Sequence, residues 1–178
     1  MAHKCTDDRV AERARELLSY DPETGGFHWK VARGRAPAGS LAGSEIPQGY
    51  RVIGIDGRLH FAHRLAWLIT HRRWPVEHID HINGVRSDNR LCNLREASCA
   101  ENLQNQQHPA RTSKTGVLGV SPCRGEKYLA QIRINGKQHR LGAFETIAEA
   151  AEVYRQAKRE AHPFWHEAPM PKAEHSHL

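Results

Sequence analysis

The chain has 178 residues, with 26 Lys and Arg against 20 Asp and Glu, a formal net charge of +6 before any of its 13 histidines takes a proton. That length holds one domain or two small ones, and the sign of the charge suits a polyanionic partner. No run approaches the roughly eighteen apolar residues of a membrane span, and the opening MAHKCTDDRVAERAREL lacks a signal peptide's apolar region.

In chain order, Val10, Ala14, Leu17 and Leu18 fall on one side of a short helix over 9–19. A turn at Asp21-Pro22-Glu23-Thr24-Gly25 leads into a strand over 26–30. Residues 32–49, rich in Gly, Ala and Pro, read as a mobile loop. Residues 50–55 and 58–62 alternate around Asp56-Gly57, which favours a type I′ hairpin turn. Leu65, Ala66, Leu68 and Ile69 predict a helix over 63–71, ended by Trp74-Pro75. A short strand over 78–82 turns at Asn83-Gly84 into a long loop over 86–94. Ser98 then starts a helix to about Gln106, with Glu101 at the capping-box spacing.

The run DHINGVRSDNRLCNLREASCAENLQN carries the chemistry. It sets Asp80, His81, Asn93 and Asn102 within twenty-three residues. Oxygen donors from Asp and Asn suit a hard cation, Mg²⁺ or Mn²⁺. A neighbouring imidazole takes a proton from water near neutral pH. A cation with a general base is what phosphodiester hydrolysis needs. Four cysteines, Cys5, Cys92, Cys99 and Cys123, show no Cys-x-x-Cys pairing. Neither a structural zinc nor a disulfide framework is expected, and a reducing cytoplasm is the expected location.

The segment resembles the HNH nuclease motif, in the variant of phage and intron homing endonucleases whose last His is replaced by Asn. YDPETGGFHWK, GYRVIGIDGRLHFAHRLAWLI and WPVEHIDHINGVRSDNRLCNLR together resemble that family's usual N-terminal half. The resemblance implies a ββα-metal domain with Asp80 as first metal ligand and His81 as general base. It implies that Asn93 holds the His-bearing strand in register with the helix. It makes Asn102, facing back toward Asp80 from the helix, the second metal ligand. Asn105 shares that helix face, so spacing leaves it open as the alternative ligand. His60, His63 and His78 are assigned no catalytic part, Arg90 and Arg95 are read as phosphate-facing or solvated, and the four tryptophans as packing residues.

Beyond a polar linker over 107–115, strands are predicted over 116–121, 127–134 and 137–144, the last two joined by Asn135-Gly136. An amphipathic helix over 146–162 offers Ile147, Ala150, Ala151, Val153, Tyr154 and Ala157 to one face. From Arg111 to Arg140 seven Lys or Arg stand against one acid, Glu126, an electrostatic footprint for phosphates. Alternation turns Ala130, Ile132, Ile134, His139 and Leu141 toward the helix. It leaves Gln131, Arg133, Gln138 and Arg140 on the opposite face, where Arg reads guanine and Gln reads adenine in a major groove. Residues 115–158 resemble the plant Apetala-two or ethylene-response-factor DNA-binding domain, through YLAQIR, LGAF and AAEVYRQA. The plant first-strand contacts are replaced here by Leu118, Ser121 and Cys123. Lys114, Arg124 and Lys127 complete the expected DNA-binding set.

The expected fold is α+β: a ββα-metal nuclease domain followed by a three-stranded antiparallel sheet with one covering helix. The expected divisions are 1–106, with the motif over about 60–106, a linker over 107–115, a DNA-binding domain over 116–162 and a disordered tail over 163–178. The expected function is a Mg²⁺- or Mn²⁺-dependent DNA endonuclease, nicking, of phage or mobile-element homing type. The alternative is a non-cleaving, sequence-specific DNA-binding regulator with a decayed nuclease module. Double-stranded DNA is the expected partner, with no membrane, no small-molecule cofactor, and a monomer or weak dimer.

Overall fold

A computed structural model describes residues 2–166, which divide between two units, Met1–Cys99 and Ala100–Leu178. In the first, α1 (Ala2–Leu17) runs straight into β1 (Leu18–Tyr20), antiparallel to β2 (Phe27–Trp29). The helix stops short of residue 19 because the Leu17 carbonyl accepts from the Lys30 amide at 2.8 Å, the start of strand pairing. The stretch over 32–49 is not a structureless loop. Trp29 N donates to Ser40 O (2.9 Å) and Ala42 N to Phe27 O (2.7 Å), and β3 (Ser44–Glu45) then joins β4 (Arg51–Ile55). Backbone pairing, invisible in side-chain periodicity, holds this segment.

The β4 strand pairs with β5 (Arg58–Phe61) across a turn where Asp56 and Gly57 both take positive φ, 46° and 78°, as a type I′ turn demands. The α2 helix (Ala62–His71) follows and ends at Arg72 in the left-handed conformation. Leu65, Leu68, Phe27, Ile53 and Ile55 form the core of this unit, each such side chain contributing about 1.5–3 kcal/mol on full burial. Ile79 and Leu94 join the same core, so the strands bearing the motif are anchored in it. These are β6 (His78–His81) and β7 (Leu94–Ala97), antiparallel, with a 3-10 turn over Leu91–Asn93 between them. The expected loop reaches Leu94; there β7 begins, a strand of four residues too short to alternate legibly. After it comes α3 (Cys99–Gln104), shorter than the expected helix.

The second unit carries β8 (Val120–Pro122), β9 (Tyr128–Ile134) and β10 (Lys137–Phe144) in sheet order β10-β9-β8, followed by α4 (Ile147–Ala161). The first strand begins at Val120 and not at 116, because Gly116 and Gly119 hold φ of +67° and +73°. Gly119 also lies against Tyr154, whose ring carbon would be 2.0 Å from an added Cβ. Thr146 and Glu149 close a reciprocal capping box at the start of α4. Val120, Ala130, Ile132, Ala150, Ala151 and Tyr154 form the core between sheet and helix.

Residues 163–166, which the sequence groups with a disordered tail, pack against 105–107. Trp165 Nε1 donates to Gln107 Oε1 at 3.3 Å, and the His166 amide to Asn105 Oδ1 at 3.3 Å. The cause is Lys158, 1% exposed, whose Nζ donates to Gln106 O at 2.6 Å and sits 5.1 Å from the Trp165 ring centre. A buried ammonium needs such partners. The remainder of the expected tail, 167–178, lies outside the described residues. Among those described, no helix is long and apolar enough to cross a membrane.

Candidate functional site

Asp80 and His81 are successive residues of β6, so their side chains leave opposite faces of the β6–β7 ribbon. Both are buried, 6% and 4% exposed. Register places Asp80 directly across from Arg95. Its Oδ2 accepts from Arg95 Nε at 3.0 Å and Nη2 at 2.8 Å. Arg95 is therefore neither solvated nor turned to a phosphate: it is the counter-charge of the buried carboxylate, which would otherwise be costly to keep ionised.

His81 meets a different set of neighbours. Its Nε2 lies 3.5 Å from Asn89 Oδ1, and its ring sits 5.1 Å from that of His63 at an interplanar angle of 81°. Tyr50 closes the group, its ring 6.0 Å from His81 and 5.3 Å from His63. Burial lowers the pKa of His81 below the usual histidine range, opposed by the contact with Asn89 and the charges of Asp80 and Asp88. Burial likewise pushes His63 down to about 3, with His81 and Arg64 adding to it. Both rings are thus neutral at pH 7, and a neutral imidazole has a lone pair to receive a proton.

Asn93 closes the connection between the two strands. Its Oδ1 accepts from the Asn83 amide (2.9 Å), its Nδ2 donates to Asp88 O (2.8 Å), and its carbonyl accepts from the Ile82 amide (2.9 Å). Asp88 in turn binds Asn83 Nδ2 at 2.8 Å and Arg90 Nε at 2.8 Å, and the Arg90 bonds hold its carboxyl below the usual range. Arg90 is accordingly committed within the loop. Asn93→Ala leaves the half-buried Asn83 amide and Asp88 carbonyl without their side-chain partner, and should cost about 2 kcal/mol. A urea midpoint unchanged from the parent protein would contradict that role.

Sequence reasoning passed over two residues of this group, Asn89 and His63. His63 shares its helix face with Ala66 and Trp67, and a histidine inside an apolar stripe was the available signal. Asn89 carried none, since Asn in a polar loop is ordinary.

Asn102 and Asn105 belong to the second unit. Asn102 is exposed on α3. Asn105 is buried, and its Oδ1 accepts from Gln107 Nε2 (3.0 Å) and from the His166 amide. Its oxygen is thus spoken for. A carboxylate and a carboxamide are both hard oxygen donors, and that donor set fits Mg²⁺ or Mn²⁺.

In the same unit, β9 and β10 pair Arg133 with Gln138 and Gln131 with Arg140. Directly opposed residues share a sheet face, so these four stand together. Arg133, Gln138 and Arg140 are exposed and Gln131 is half-buried. His139 lies opposite Ile132 on the helix-side face, as expected, but is exposed: the core runs through Ile132, Ile134 and Leu141 without it. Lys114 and Arg124 are exposed, whereas Lys127 Nζ is engaged 2.8 Å from Glu145 Oε1.

No curated protein and no solved structure matches the chain. Residues 60–104, however, match the model of a family described as HNH endonuclease. The matched segment runs from β5 through α3 and contains His63, Asp80, His81, Asn89, Asn93 and Asn102. Residues 60–104 thus carry an HNH endonuclease domain, which supports nuclease activity with DNA as the substrate.

Proposed function

We propose that the protein is a divalent-cation-dependent endonuclease that nicks duplex DNA. One observation carries the reading: a buried imidazole adjoins a buried carboxylate on one strand of the HNH-matched segment. Asp80 and Asn102 would hold Mg²⁺ or Mn²⁺, Asn102 being favoured over Asn105 because the Asn105 oxygen already has two donors. When bound, the cation supplies positive charge for the phosphate and for the departing 3′ oxygen. His81 takes the proton of the attacking water. Arg95 pairs with the Asp80 carboxylate and fixes its orientation.

The second unit supplies register and affinity. Gln131, Arg133, Gln138 and Arg140 read base edges, while Lys114, Arg124 and Lys127 meet phosphates. Replacing Arg133 and Arg140 together by Ala should weaken binding to a preferred duplex by about 2 kcal/mol, the low end for two arginine–base contacts. Fluorescence anisotropy at fixed salt measures this, and unchanged affinity would remove that face from the interface. One set of site residues per chain makes a nick the simplest product for a monomer or weak dimer. The Asn that stands for the last His of the motif favours the homing type, acting in the cytoplasm where phage or mobile-element DNA is exposed.

Supercoiled plasmid provides the test. Open circles should form with Mg²⁺ or Mn²⁺ and not with a chelator. Plasmid that is bound but uncut with either cation would favour the non-cleaving regulator.

A further inference from the structure

The HNH-matched segment begins at residue 60, yet the loop that touches His81 is held from well before it. Asn89 is 2% exposed. Its Nδ2 donates to the Ser87 carbonyl at 3.0 Å, so Oδ1 is the end turned toward His81 Nε2. A carboxamide oxygen only accepts. The ring nitrogen facing it therefore carries the hydrogen, and the lone pair lies on Nδ1.

The backbone of Asn89 is gripped by the hairpin of β1 and β2. Tyr20 on β1 donates its hydroxyl to the Asn89 carbonyl at 2.8 Å. The Leu91 amide donates to Pro22 O, in the hairpin turn, at 2.9 Å. Gly25 in the same turn has φ +73°, and an added Cβ would lie 2.5 Å from Arg90 N and 2.6 Å from Asn89 C. The turn thus presses backbone against backbone at the residue that meets His81. The Tyr20 ring is itself fixed against Phe27, centroids 4.8 Å apart.

We propose that Asn89 is a positioning residue for His81, and that the hairpin over residues 18–29 is the clamp that holds it. The functional site then extends beyond the HNH-matched segment into the N-terminal hairpin. The proposal rests on the reading of His81 as general base. With Nε2–H directed at Asn89, Nδ1 is the nitrogen that receives the proton from water. Without that acceptor the preference for Nε2–H weakens, which slows turnover and leaves DNA affinity alone.

Nitrogen NMR of the full chain, with histidine ¹⁵N-labelled and the pH mildly alkaline, reads the His81 tautomer without turnover. Single-turnover nicking with Mg²⁺ separates rate from DNA affinity. The parent protein should show Nε2–H. Asn89→Leu should mix the tautomers and slow nicking by about 10²-fold at unchanged half-saturating DNA, the scale of an ångström misplacement. Asn89→Asp, which keeps an acceptor oxygen, should retain Nε2–H and recover most of the rate. Tyr20→Phe keeps the ring and loosens only the clamp. It should slow nicking by a smaller factor, and it carries the test if Asn89→Leu disrupts the loop. An Nδ1–H parent ring, an unmoved tautomer in Asn89→Leu, or a moved tautomer at undiminished rate would overturn the proposal. A parent protein that shows the expected tautomer and never nicks would sink the nuclease reading, and leave the orientation of His81 by Asn89 standing.

Discussion

His81→Ala should abolish plasmid nicking, slowing it about 10²–10⁴-fold, while affinity for duplex DNA barely changes. The first half follows from the loss of a proton acceptor that burial keeps neutral at pH 7. The second follows from the proposed DNA contacts: Lys114, Arg124, Arg133 and Arg140 all belong to the second unit. Removing a buried imidazole beside His63 and Tyr50 also opens a cavity, which has its own cost. His81→Gln, closer in volume and still polar, serves as companion: it should lose nicking equally with less loss of stability. Nicking and binding that vanish together in a protein of unchanged melting temperature would make His81 a structural residue.

Acid should unfold the first unit early, and His63 should be the main histidine responsible. Its pKa falls from 6.5 to about 3 because the ring is buried. A base with a lowered native pKa binds fewer protons folded than unfolded. Its contribution is therefore fully present above pH 6.5 and is lost as pH falls toward 3. A shift of that size corresponds to about 5 kcal/mol as a ceiling. The shift of His81 has the same sign and adds to the slope. Carboxylates that titrate in this range also contribute, Glu96 among them with a pKa lowered to about 2 by Arg73. The informative quantity is thus the difference between parent protein and His63→Phe, which cannot charge. Urea midpoints followed by Trp67 fluorescence between pH 7 and 4 should converge as pH falls. Parallel curves would mean that His63 is solvated in the native state.

Parts of this architecture were legible because their causes are local. Asp56-Gly57 and Asn135-Gly136 specify their turns through residues that tolerate positive φ, and all four adopt it. The helices α2 and α4 follow from apolar spacing, and α4 is fixed at its start by Thr146 and Glu149. Alternation along β9 placed Ala130 and Ile132 in the core, and along β10 it set His139 on the same face, where it stays exposed. The segment over 32–49 was misread because glycine and proline content describes side chains, whereas main-chain hydrogen bonds hold that segment.

Sequence alone determined the residue types and spacing of Asp80, His81, Asn93 and Asn102, all of which lie inside the 60–104 match to HNH endonucleases. Tertiary structure alone decided their company. The β6–β7 register sets Arg95 on Asp80, packing of α2 brings His63 to His81, and the Tyr20 hydroxyl reaches the carbonyl of a residue sixty-nine positions away. The physical reason is that periodicity and turn chemistry act over a few residues. Register and buried hydrogen bonds arise only once distant segments share a core, where each buried polar group must find a partner.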